Sequence, residues 1–254
     1  MSTPTFKDYF SAGAAEYAAF RPKYPPELFR FVASLPAERR VAWDCATGSG
    51  QAAVPLADHF DRVIATDASG AQLAHATPHA RVAYSVALAD ASGFPSGTID
   101  LVTVAQALHW LPLDRFVAEV RRVLAPGGAL AVWSYGGTRI DPAIDAVIKR
   151  YYSETVGAHW APERTLVDTG YSTIELPVDE IPSPPLSMTA ELTLDELAGY
   201  IRTWSATRKL AAAIGRDPVV ELIEELLPHW GPPTARRTVE WPLRVRAGRV
   251  RAGA

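Results

Sequence analysis

Between residues 41 and 133, short apolar runs alternate with stretches whose apolar positions recur at helical spacing. The runs are VAWDC at 41–45, RVIATD at 62–67, RVAYSV at 81–86, IDLVTVA at 99–105 and ALAVW at 129–133, each of strand length. The clearest helical pattern spans 113–124, where Leu113, Phe116, Val117, Val120, Val123 and Leu124 repeat at i, i+3, i+4, i+7, i+10 and i+11. Asp114 stands where a carboxylate favours a helix N-terminus, and Pro126-Gly127-Gly128 is expected to end this helix before the next strand. Shorter helices are expected at 51–60, with Pro55 in the opening turn, and at 69–76, stopped by Pro78. Strands alternating with helices predict an α/β fold whose parallel sheet is covered on both faces, because parallel strands need crossovers.

The flanks read differently. Residues 6–24 are rich in aromatics, and Pro25-Pro26 opens a helix reaching about residue 35. After Trp133 the rhythm breaks into helices at 140–160, 193–206 and 218–227, a proline-rich connection at 177–185 and a late strand at 238–245. Thr193-Leu194-Asp195-Glu196 fits a capping box. The tail repeats RVRAG from Arg244, and six arginines fall between 236 and 251. They read as the charged outer face of a strand followed by a frayed end, not as a polyanion site, since the overall charge is negative. The expected organisation is an N-terminal lid and helix at 1–36, a ligand-binding core at 37–136, and a helical insertion with closing strands at 137–254.

Composition narrows the class. The chain has 254 residues, 48% of them hydrophobic, with 25 Lys+Arg against 28 Asp+Glu and a formal net charge of −3. That apolar content excludes a disordered chain, and the mild negative charge argues against nucleic acid as partner. No apolar run approaches the ~20 residues needed to span a bilayer. The N-terminus lacks the charged and apolar segments of a secretory signal, so a cytoplasmic location is expected, with no membrane partner. Cys45 is alone, which excludes an internal disulfide or a multi-cysteine zinc site. His75, His79, His159 and His229 show no ligand spacing, so no metal is expected. A monomer or weak dimer acting on a small molecule fits best.

The chemistry concentrates at Asp44-Cys45-Ala46-Thr47-Gly48-Ser49-Gly50-Gln51, which follows one strand and opens a helix. Two glycines spaced by one residue allow a sharp turn and close backbone approach to a ligand. Asp67 ends the next strand, where a carboxylate can take both ribose hydroxyls of an adenosine. Gly48-Ser49-Gly50-Gln51-Ala52-Ala53 also fits the dinucleotide pattern G-x-G-x-x-[GA], so spacing leaves a nicotinamide enzyme open. Charge favours the other adenosine cofactor. A pyrophosphate would meet Asp44 at close range, whereas S-adenosylmethionine (SAM) carries an ammonium and a sulfonium and no phosphate.

WDCATGSGQ, VIATDAS, ALADASGFP, IDLVTVAQALHWLPLDRF and VRRVLAPGGALAVW, in that order, resemble a class I SAM-dependent methyltransferase of the type 11 group. The segments YAAFRPKYP at 17–25 and YIRTWSA at 200–206 resemble the branch containing trans-aconitate 3-methyltransferase and related small-molecule enzymes. The resemblance implies a Rossmann-like, seven-stranded, mostly parallel sheet with an N-terminal lid and a helical insertion after the fifth strand. It implies that Asp44, Thr47, Gly48 and Gly50 surround the methionyl part of SAM; Tyr17, Ala46 and Gln51 are further cofactor candidates, and Arg21 meets the SAM carboxylate or a substrate anion, or caps a turn before Pro22. Asp67 would hold the ribose, Ala68 would lie against the adenine, and Asp90 beside Ala89 would accept the adenine amino group. Gln106 and Ala107 would border the sulfonium. Where Ala46 stands, the family commonly has glycine, and Asp90 replaces a common glutamate.

Methyl transfer to a carboxylate needs alignment and a dry site, while a phenol or alcohol benefits from a base. The catalytic candidates are His109, either a general base or a histidine satisfied by neighbours, and Trp110, either pocket wall or anchor. Tyr9, Trp110, Tyr135, Trp204 and Arg208 are the candidates for holding the acceptor. Trp133 reads as core. The expected activity is O-methylation of a carboxylate or hydroxyl on a small molecule. The alternatives are an NAD(P)-dependent oxidoreductase and a catalytically silent SAM-binding protein.

Overall fold

The computed structural model describes residues 22–250, so Tyr9, Tyr17 and Arg21 lie outside the described residues. Pro25-Pro26 opens α1 (Pro26–Ala33). The core then alternates β1 (Val41–Cys45), α2 (Ala53–Leu56), β2 (Arg62–Asp67), α3 (Gly70–Leu73), β3 (Val82–Val86), β4 (Ile99–Ala105), α4 (Leu113–Val123) and β5 (Leu124–Tyr135). The insertion supplies α5 (Pro142–Arg150), α6 (Arg164–Asp168), β6 (Val178–Glu180), β7 (Leu186–Leu192), α7 (Leu194–Arg202), α8 (Ser205–Ile214) and α9 (Val219–Trp230) before β8 (Arg237–Val250) closes the sheet.

The strand order is β3-β2-β1-β4-β5-β8-β6, with β7 also on β8. Strands β1 to β5 pair in parallel, and β8 runs antiparallel to β5. Leu243 pairs with Tyr135 on one side and Leu186 on the other, while Gly248 pairs with Leu130 and Glu180. Strands β6 and β7 therefore share one edge of β8, and eight strands fill the seven expected positions. This is the Rossmann-like architecture expected from the sequence.

Alternate residues along the strands point to opposite faces, and both faces are buried. Ala42, Val63, Leu101, Ala131 and Trp133 pack under Leu28, Phe29 and Val32 of α1. Trp43, Val102, Val104 and Leu130 pack against Phe116, Val120 and Val123 of α4. Trp133 is fully buried, edge-on to Tyr24 and Phe29, as core. A third core joins the insertion helices through Leu197, Tyr200, Ile201 and Trp230 to Met188 and Trp241 of the closing strands.

Several elements depart from the sequence pattern. The expected α2 and α3 shorten to single turns. The predicted helix at 140–160 stops at Arg150 and continues as a π turn (Tyr151–Thr155) and a 3₁₀ turn (Gly157–His159), where Thr155, Val156 and Gly157 are poor helix formers. The capping box at Thr193 forms, with Thr193 N donating to Glu196 Oε2 at 2.8 Å. The helix it opens ends at Arg202, because Trp204 turns extended into a cluster with Tyr151, Tyr152, Trp160 and Tyr200, and α8 starts afresh. Pro126-Gly127-Gly128 falls inside β5, at a register shift against Ile99 and Leu101 of β4, not between helix and strand.

The tail is ordered strand to Val250. Arg249 Nε donates to the Leu35 carbonyl at 2.6 Å, and Arg246 donates to the Ile174 carbonyl at 2.7 Å while pairing with Glu180. These arginines hold the closing strand to its neighbours.

Candidate active site

The ligand crevice opens where the strand order reverses, between β1 and β4, beyond the carboxyl ends of the strands. Three left-handed residues follow β1 in quick succession: Ala46 at φ 55°, Gly48 at φ 57° and Gly50 at φ 84°. Ala46 thus occupies the conformation that glycine takes without penalty, and its Cβ there costs about 1–2 kcal/mol. At Gly50 a Cβ would stand 2.3 Å from the Tyr84 hydroxyl, so packing demands glycine at that turn. Gln106, which follows β4, is left-handed too, at φ 55°.

A cavity of about 530 Å³ fills the crevice. Ala46, Thr47, Gly48, Gln51, Asp67, Ala68, Ala89, Asp90, Gln106 and Ala107 line it, with His109 and Trp110 at one end. Asp44 and Gly50 do not line it. Asp44 is fully buried beneath the turn, accepting hydrogen bonds from the hydroxyls of Thr47 and Thr103, the latter at 2.7 Å. Burial, opposed by these two bonds, pushes its carboxyl up to about 6. Its charge reaches a ligand as a field from below, not as a contact.

Asp67 is held from both sides, Oδ2 accepting from Gly48 N at 2.9 Å and Oδ1 from Ser69 N at 2.8 Å. That fixes the carboxylate at the rim, where a ribose diol can meet it. Asp90 pairs with Arg115 Nε at 2.9 Å, and Arg115, which belongs to no sequence motif, lines the crevice beside it. Three N–H groups of the glycine turn are already engaged. A diphosphate needs free backbone N–H groups. Here Gly48 N is taken by Asp67, Gly50 N by the Thr47 carbonyl at 3.0 Å, and Thr47 N by the Thr66 carbonyl at 2.9 Å. With Asp44 beneath the turn and Asp67 in the crevice, the residues suit a cationic, phosphate-free adenosine donor.

A second cavity of about 60 Å³ adjoins the first, with Gln106, His109 and Trp110 lining both. Tyr135, Trp160, Tyr200 and Trp204 wall it, and Arg164 brings one guanidinium. Arg164 lies over the rings of Trp160 and Tyr152, 4.7 and 5.4 Å from their centroids. Its Nε donates to Tyr152 Oη at 2.8 Å and to Asp168 at 3.3 Å. The acceptor candidate Arg208 lines neither cavity and donates to the Thr203 carbonyl, and nearby Arg202 pairs with Asp217. Arg164 stands in their place. Nothing in its local sequence marks it, because the short α6 reaches the site only through tertiary packing.

His109 sits in a 3₁₀ turn (Leu108–Trp110) after β4, with Nδ1 3.0 Å from the Tyr171 hydroxyl. Burial first, then the Arg164 charge, lowers its pKa to about 4, so the imidazole is neutral at pH 7. Tyr171 is fully buried and left-handed, at φ 62°.

Fold, crevice and charge together define a SAM-dependent methyltransferase. The chain belongs to the type 11 methyltransferase domain family (Methyltransf_11), whose pattern matches residues 43–132. A Dictyostelium discoideum protein named as a methyltransferase is 36% identical over 232 residues, 89% of this chain and 88% of that protein. A solved structure described as a type II methyltransferase from Anaeromyxobacter dehalogenans superposes with a TM-score of 0.85 at 43% identity, covering 91% of this chain and 98% of that one. A Saccharomyces cerevisiae protein named as a SAM-dependent methyltransferase is 30% identical over 131 residues, 48% of this chain and 45% of that protein. The methyl donor is SAM. Family membership sets aside the nicotinamide alternative that spacing had left open. Among the described residues no helix is long and apolar enough to cross a membrane.

Proposed function

We propose that the protein methylates an oxygen of a small organic molecule, and that this oxygen belongs to a carboxylate. SAM, when bound, supplies a methyl carbon on a cationic sulfur. The observation that carries the reading is that Arg164 lines an aromatic-walled cavity that joins the donor crevice at Gln106, His109 and Trp110. At about 60 Å³ that cavity would hold one end of an acceptor. A guanidinium among aromatic rings favours an anionic end.

Proton chemistry supports the same choice. A histidine with a pKa of about 4 accepts protons poorly at pH 7, which suits an acceptor that is already ionised. A carboxylate is; an alcohol is not. The likeness of residues 17–25 and 200–206 to the trans-aconitate 3-methyltransferase branch supports a carboxylate as well. We take a hydroxyl as the second oxygen class.

The test is incubation with methyl-labelled SAM and a panel of carboxylic acids, phenols, alcohols and amines. Alkali-labile methyl esters are the expected product. Transfer to amines alone would overturn the proposal, as would normal SAM binding by calorimetry without product from any class.

A further inference from the structure

We infer that Glu163 is a specificity residue for the donor: its carboxylate favours the cationic sulfur of SAM over the neutral sulfur of the demethylated product. The inference rests on reading the small cavity as the acceptor site, because that reading says which end of the donor lies beside Glu163.

Glu163 and Arg164 are neighbours in the chain and opposite in charge, yet they face different cavities. Glu163 lines the donor crevice and not the small cavity, while Arg164 lines the small cavity and not the crevice. The backbone explains the division. Arg164 N donates to the Ala161 carbonyl at 2.9 Å and Leu166 N to the Glu163 carbonyl at 3.1 Å, so residues 161–166 form one tight turn. Successive side chains on a helical turn diverge by about 100°. Ala161 lies on the Arg164 side, in the wall of the small cavity.

Helix α6 packs on the turn Leu108–Trp110, whose His109 and Trp110 line both cavities. Glu163, which immediately precedes α6, therefore belongs to the junction end of the crevice. Glu163 and Arg164 also act on His109 in opposite senses, the first favouring its charged form and the second disfavouring it. An acceptor held by Arg164 is reached through that junction, so the sulfur that carries the methyl group belongs at the same end as Glu163.

Transfer breaks the bond from sulfur to the methyl carbon and leaves its electron pair on sulfur; a carboxylate oxygen supplies the pair for the new bond. A sulfonium and a carboxylate become a thioether and an ester, both uncharged. Glu163 is half-buried, where a carboxylate attracts a sulfonium more strongly than in open water, and a thioether offers it no net charge. The ammonium and carboxylate of the methionyl end are common to donor and product, so they drop out of the comparison. Asp44 adds to the field from beneath the turn, and substituting Glu163 alone separates the two.

The experiment is calorimetry on the full chain with SAM and with S-adenosylhomocysteine, for the wild type, Glu163→Gln, Glu163→Asp and Arg164→Gln. Glu163→Gln is expected to weaken SAM roughly 5- to 10-fold, between the values of exposed and buried charge pairs, and to change the product's dissociation constant less than about twofold. Glu163→Asp keeps the charge and should keep most of the preference, and Arg164→Gln should keep all of it. Equal losses for SAM and product overturn the inference, since a contact with the shared ammonium or a purely structural role gives that result. An unchanged ratio overturns it too. Should Glu163→Gln fail to fold, Glu163→Ala is read by the same two constants. The labelled-product panel reports on the proposed function separately. Methyl esters together with an unchanged ratio sink only this inference, and methylated amines alone together with a collapsed ratio sink only the carboxylate acceptor.

Discussion

The side-chain amide of Gln106 continues the sheet where the backbone of β4 stops: its Nε2 donates to the Tyr135 carbonyl at 3.0 Å and its Oε1 accepts from Tyr135 N at 2.8 Å. Its own N–H donates to the Trp133 carbonyl at 2.9 Å. The floor shared by the two cavities is thus a side chain imitating a strand. Gln106→Ala leaves both Tyr135 backbone groups without that partner and is expected to lower stability by about 1–3 kcal/mol. Urea unfolding measures the loss, and calorimetry with SAM should show weaker binding, because the floor beneath the donor loosens.

Gly50 and Tyr84 form a coupled pair. Gly50→Ala places a Cβ 2.3 Å from the Tyr84 hydroxyl and 3.1 Å from Cζ, at φ 84°. A destabilisation of at least about 1–2 kcal/mol is expected from the backbone alone. Adding Tyr84→Phe removes the closest atom at the cost of the Tyr84 Oη bond to the Thr77 carbonyl, 2.8 Å long. A double-mutant cycle by thermal unfolding should therefore show the second substitution costing less in the Gly50→Ala background than in the wild type.

Asp44 and His109 oppose each other in pH. Asp44 has its pKa raised from 3.8 to about 6, so the folded state binds more protons than the unfolded chain between those values. Its contribution therefore falls as pH rises through that window. His109 has its pKa lowered from 6.5 to about 4, so the unfolded chain binds more protons, and stability rises with pH over that range. In the wild type the two slopes offset between pH 4 and 6. Asp44→Asn removes one of them, and its stability should climb with pH from about 4 to 6.5 in denaturant titrations. A slope equal to the wild type's would contradict this assignment. SAM affinity should also drop, since the field beneath the donor's cationic end is gone.

Arg164→Gln tests the acceptor end. Loss of a charge-assisted hydrogen bond of about 1.5–3 kcal/mol predicts kcat/KM for a carboxylate acceptor falling roughly 10- to 150-fold. The dissociation constant for SAM should be unchanged, because Arg164 lines only the small cavity. A parallel loss of SAM binding would place Arg164 in the donor site instead.

The parts legible in the sequence are those governed by local rules. Strands β1, β2 and β4 fall where their apolar runs stand, and α4 follows its periodicity to within one residue. Thr193 announced its helix through a capping box. Strand β7 carried a signal as well, with Leu186, Met188, Ala190 and Leu192 at every second position, yet the prolines before it read as loop. The break at Trp204 was not legible, because five rings meeting from distant segments decide it. The same holds for the site. Ala46 to Gln51, Asp67 and Asp90 sit on a motif with fixed spacing, whereas Arg164 and Tyr171 reach His109 from the insertion and lie 55 and 62 positions along the chain. No window on the sequence contains both ends of those contacts.

The three described non-glycine residues with positive φ, namely Ala46, Gln106 and Tyr171, all stand at the site: two line the donor crevice and one backs His109. Ordinary strands and helices elsewhere hold these unfavourable torsions in place. Selection for heat resistance should therefore find its gain at Ala46, where glycine removes only a methyl group, and not at Gln106 or Tyr171, whose side chains are themselves bonded.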